Sequence, residues 1–200
     1  MIVHGDARRL SGDGGSALVE AAFLSPIVLF MFLGILEGGG LMLDYLSVSN
    51  AASAGVRTAG IAGSEITADF AIVRAVSAES AAIDRDTITR LVVYKATDPT
   101  STVPVGCASA TIGTAGLCNV YVTAYLDDPV TSPTFQCGTF SRDQYWCPTT
   151  RKAALEGTNG PPDWIGVYVE VEHRMVSGLF GDSRTIRADV VTRIEPESLR

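Results

Sequence analysis

The residues of this 200-residue chain from which chemistry would start are few: two histidines, four cysteines and a carboxylate pair, Asp127-Asp128. None is arranged for catalysis. His173 stands on the apolar side of an alternating run with Val167, Val169, Val171 and Met175, where a histidine satisfied inside a core is expected. Asp127 and Asp128 precede Pro129, a turn composition before it is a cation site. The glycines at 12, 14 and 15 and at 38 to 40 lack the Lys-Ser/Thr of a phosphate loop. No catalytic residue, metal site or cofactor is therefore expected. The cysteines form no C-x-x-C, which argues against zinc and thioredoxin-like chemistry. Cys107 and Cys118 bracket one short loop, and Cys137 and Cys147 another. Two local disulfides in an oxidising compartment are expected, although four cysteines allow three pairings.

Charge points the same way. With a net charge of −7, a pI near 4.8 and no basic cluster beyond Arg8-Arg9, a nucleic-acid partner is not expected. The mean hydropathy of +0.24 is high for a soluble chain, and the excess lies in the first third. Between Ala17 and Leu36 the only charge is Glu20. Twenty residues at about 1.5 Å each make roughly 30 Å of helix, the thickness of a bilayer core. Arg8 and Arg9 precede the run, and acidic Glu37 and Asp44 follow it, so the positive-inside rule puts the N-terminus in the cytoplasm. Glu37 is expected at the headgroups or in water. Pro26 should kink the helix or loosen one hydrogen bond. Gly38, Gly39 and Gly40 cost about 1 kcal/mol each relative to alanine, so a hinge or a melted turn is expected there.

The elements beyond follow from periodicity. Leu41, Tyr45, Val48, Ala52, Val56 and Ala59 recur at helical spacing, extending one long helix from about Ser16 to about Ala62. A second helix is expected over Thr67–Ile83, with Phe70, Val73, Val76 and Ile83 as its apolar side. Strands are expected over Thr87–Lys95, Asn119–Leu126, Ile165–Met175 and Arg184–Ile194. The fold class is α+β: a long N-terminal helix packed on a small domain with a second helix and a roughly four-stranded antiparallel sheet. Residues 127 to 163 form a long, proline-rich insertion. Tyr121, Tyr125 and Tyr145 are expected in the core rather than in an aromatic surface patch with Trp146 and Trp164.

Gly15-Ser16, with Glu20 as the fifth residue after the glycine and an apolar run behind it, resembles a type IV prepilin peptidase site. The whole stretch ALVEAAFLSPIVLFMFLGILEGG is similar to the N-terminal signature of TadE/TadG-type minor pseudopilins of tight-adherence (Tad, or Flp) pili. The matching positions are Val19-Glu20, Pro26, Gly34-Ile35-Leu36-Glu37 and Gly38. The ending ADVVTRIEPE, 188 to 197, is similar to the R-x-E-P close of that family. There are two departures from the pattern: Asp6 and Asp13 offset the leader's arginines, and 38 to 40 is richer in glycine than usual.

The resemblance implies a leader, 1–15, cut off after Gly15 on the cytoplasmic side together with His4. It implies a transmembrane half of the helix, 16–37, a second half, 38–62, and an extracytoplasmic domain, 63–200. Glu20 would pair with the freed α-amine of a neighbouring subunit, so that a carboxylate costly in lipid is relieved only on docking. The implied partners are other pilin or pseudopilin subunits, the pilus assembly platform, a prepilin peptidase and the inner membrane. Two other readings stay open: an uncleaved bitopic envelope protein that binds a partner, and a secreted hydrolase whose apolar run is a removed signal.

Overall fold

A computed structural model describes residues 14–81, 83–123, 134–153, 160–178 and 180–195. The expected leader before Gly14, Ala124 to Leu126 of the expected second strand, Asp127-Asp128 and Pro196 lie outside them. The chain divides into two compact units, Met1–Gly40 and Leu41–Arg200. One helix, α1 (Gly14–Ala62), contributes to both. It runs unbroken through Pro26 and stays helical at Gly38, Gly39 and Gly40, so the expected melted turn is not present. Strongly apolar neighbours on both sides supply helix formers enough to carry the glycines.

In the second unit, α2 (Ala68–Glu79) and strands β1 (Ile88–Ala96), β2 (Cys118–Val122), β3 (Trp164–Arg174) and β4 (Ser183–Arg193) build an α+β domain. A single helical turn, α3 (Val105–Ala108), lies between β1 and β2. The sheet is antiparallel throughout, in the order β2-β1-β3-β4. The second helix ends four residues earlier than expected. Ser80 closes it, its hydroxyl turning back to the carbonyl of Ser77, and Ile83 reaches the core from the turn beyond. Serine competes for backbone bonds in this way and favours helix ends.

One face of the sheet takes the helices. Val48, Ala51, Ala52, Val56 and Ala59 of α1 pack with Ile72, Val73 and Val76 of α2 against Val167, Val169 and Val171 of β3. The small residues let α1 approach closely: a Cβ at Gly55 would lie 2.6 Å from Val76 and 3.0 Å from Val167. Tyr45, expected on this face, is instead 54% exposed. At about 100° per residue, the line back from Val48 passes through Asp44 and Leu41, and Tyr45 falls beside it. His173 takes the place expected of it, at the end of the β3 valines, with its Nδ1 2.7 Å from Asp44 Oδ2.

The other face is buried by a smaller cluster around Val92, Tyr94, Cys107, Cys118, Val120 and Tyr168. Tyr94 lies across Gly166, where a Cβ would come 2.1 Å from its ring, and its hydroxyl donates to Asp189 at 2.6 Å. The R-x-E close docks onto the far end of α1. Arg193 stacks on Trp164 at 4.9 Å, Ile194 is fully buried, and the Glu195 amide donates to the Gly60 carbonyl at 2.9 Å.

Candidate functional site

No residue from Gly15 to Phe32 is buried. Leu18, Phe23, Ile27, Val28, Phe30 and Met31 are all more than half exposed, and they point to every side of the helix. A helix apolar all round has no core stripe and no solvent face, which suits lipid or other apolar helices. Its length and hydropathy suffice to cross a membrane, and it fits a single-pass membrane protein. Gly15 and Ser16 occupy its first turn, and a Cβ at Gly15 would meet nothing within 4 Å. Glu20 is exposed one turn further on and forms no ion pair among the described residues. Glu37 departs from expectation: it is 4% exposed, not turned to headgroups or water. At Gly38 and Gly39 an added Cβ would also meet nothing, so no close neighbour requires glycine there.

The folded unit holds a polar cluster whose members are far apart in sequence. Asp69 of α2 and Arg151 of the insertion form an ion pair at 2.6 Å, with both side chains fully buried. The other carboxylate oxygen of Asp69 accepts from the Tyr121 hydroxyl at 2.6 Å and the Asn119 amide at 2.8 Å. Asn119 also brackets Trp146, donating to its carbonyl at 2.9 Å and accepting from its amide at 2.8 Å. The Arg151 guanidinium lies over the Trp146 ring at 4.3 Å. Burial, and next the Asp69 charge, pushes the Tyr121 phenol well above its ordinary value, so it stays a donor at neutral pH. The cluster ties α2, β2 and the insertion together. Tyr121 and Trp146 are thereby core residues.

All four cysteines are joined, Cys107 to Cys118 and Cys137 to Cys147, the pairs expected from their spacing. The first fastens α3 to the edge strand β2, and the second closes a loop of the insertion. Cys137 has φ 58°, a left-handed backbone that side chains with a Cβ rarely adopt. Its amide donates to Asp143 at 3.0 Å, and burial raises the carboxyl of Asp143 above the usual range. Replacing Cys137 and Cys147 together by alanine should cost about 3 kcal/mol by the chain-entropy model. Cys137→Gly with Cys147→Ala should cost about 1 kcal/mol less, because glycine accepts the left-handed backbone. Urea unfolding of the full chain in detergent, followed by tryptophan fluorescence, measures both; equal midpoints for the two variants would show that no strain resides at Cys137.

Residues 15–57 match the model of a family described as TadE-like protein. No curated protein and no solved structure matches the chain. The match begins at the glycine of the cleavage-like motif, covers the whole exposed apolar helix, and ends at Arg57 among the α1 residues packed on the sheet. Over this segment, residues 15–57, the chain is similar to TadE-like proteins.

Proposed function

We propose that this chain is a minor pilin or pseudopilin subunit of a Tad-type pilus, working by assembly and not by catalysis. Prepilin peptidase cuts between Gly15 and Ser16. Residues 16–37 then hold the protein in the inner membrane, with the N-terminus in the cytoplasm and the disulfide-bearing domain outside, or carry it into the pilus. The stem packs with the helices of other pilin subunits at the assembly platform, and Pro26 and Gly38 to Gly40 let it bend against them. The observation that supports this most is the apolar helix exposed on every side, with Glu20 and the glycine-serine motif at its start, in the very segment that is TadE-like.

Glu20 carries the specificity in this reading. A carboxylate near the membrane entrance is costly alone and relieved by the α-amine of a neighbour, so one helix register is favoured over the next. Glu20→Ala should leave cleavage and insertion intact, since the apolar run is untouched. Association with other pilin subunits, read by crosslinking or co-purification of the processed variant, should fall severalfold. Assembly equal to that of the wild type would reduce Glu20 to a helix-end residue that snorkels to the interface.

A further inference from the structure

The β3–β4 turn sits at the end of the domain where α1 enters it. Contacts at both ends of β3 fix this direction. At one end of β3, His173 is bonded to Asp44. At the other, the β4 residue Thr192 packs on Gly60, and the Glu195 amide reaches the Gly60 carbonyl. Arg174 and Ser183 are the last paired residues, and the Met175 amide adds one more bond to the Asp182 carbonyl at 3.0 Å. The turn therefore projects from the Leu41 side of the unit, on a braced ladder. Arg184 steadies it further by donating to the Phe180 carbonyl at 3.1 Å.

Two of the turn's described residues are large, apolar and bare. Val176 is 89% exposed and Phe180 54%. On the same end of the unit Met42, Leu43, Tyr45 and Leu46 of α1 are also exposed. Large apolar side chains left bare on one end, with an aromatic among them, are the composition of a membrane interface. The formal charges beside the turn cancel, Arg174 and Arg184 against Asp182 and Glu172, and Glu172 accepts from the Ser183 hydroxyl at 2.6 Å. Attraction to an anionic surface is therefore weak, and contact would rest on apolar insertion.

We propose that the β3–β4 turn is a second membrane-contact element, whose Val176 and Phe180 enter the headgroup–acyl boundary of the bilayer beside the entry of α1. This rests on the reading of residues 16–37 as the membrane span. The full chain, with its disulfides intact, would be labelled with an environment-sensitive fluorophore at one introduced cysteine. The variants are Val176→Cys, Phe180→Cys, Ile27→Cys in the stem and Ile61→Cys, an exposed site about 25 Å beyond Asp44 along the helix. Each is reconstituted in phosphatidylcholine vesicles with or without lipid carrying a spin-label quencher. Quenching of several-fold is expected at positions 27, 176 and 180, unchanged by added salt, with none at 61. Quenching at 27 but not at 176 or 180 would overturn the proposal and leave the membrane span standing. No quenching at 27 would overturn both. Shielding of 176 and 180 that grows only with protein density, without lipid quenching, would mark a protein neighbour and also overturn it.

Discussion

Asp69→Ala is expected to destabilise the folded unit by about 3–5 kcal/mol, the usual cost of breaking a buried ion pair from one side. The variant strands the Arg151 guanidinium, which is fully buried, without the carboxylate bonded to it. It also removes the acceptor of the Tyr121 hydroxyl and of the Asn119 amide, each worth about 1–3 kcal/mol when left buried and unpaired. These losses share one carboxylate and do not simply add. Replacing both members of the pair, as Asp69→Asn with Arg151→Met, keeps an acceptor for Tyr121 and takes away the stranded charge. Most of the loss should then be recovered. Urea unfolding of the full chain in detergent distinguishes the outcomes. A loss below about 1 kcal/mol in Asp69→Ala would mean that water enters and screens the cluster, contrary to its burial.

That cluster is also where sequence reasoning reached least far. The partners Asp69 and Arg151 stand 82 residues apart, and no local pattern joins them. One signal was present: Asp69 lies four residues before Val73 and seven before Val76, so helical periodicity places it on the buried face, where a carboxylate demands a partner. Phe70 drew attention instead; it is only partly buried and tilts against Phe135 at 5.9 Å. The strands were more legible because their signal is local. Val167, Val169 and Val171 alternate with polar residues, and β3 lies within a residue of its expected bounds. Tyr45 was misplaced because a stripe of Ala, Ser and Gly fixes the helix face only loosely, whereas the bond between Asp44 and His173 fixes it well. The apolar run was legible too, since a helix long and apolar enough to cross a membrane is specified by composition along one stretch of chain.

Cleavage after Gly15 is the step on which the pilin reading turns, and Gly15→Val should abolish it. Valine is branched at Cβ, and a site that accepts glycine has no room for two further methyl groups. Among the described residues nothing opposes the substitution, since an added Cβ at 15 meets no atom within 4 Å and helix α1 continues past it. A loss of processing would therefore report recognition and not misfolding. The direct measurement is the intact mass of the membrane-extracted protein expressed with a prepilin peptidase, wild type beside Gly15→Val. The wild type should lack Met1 to Gly15 and begin at Ser16, while the variant stays at the full 21.1 kDa. A wild type at full mass, or one shortened past the apolar run, would contradict the account.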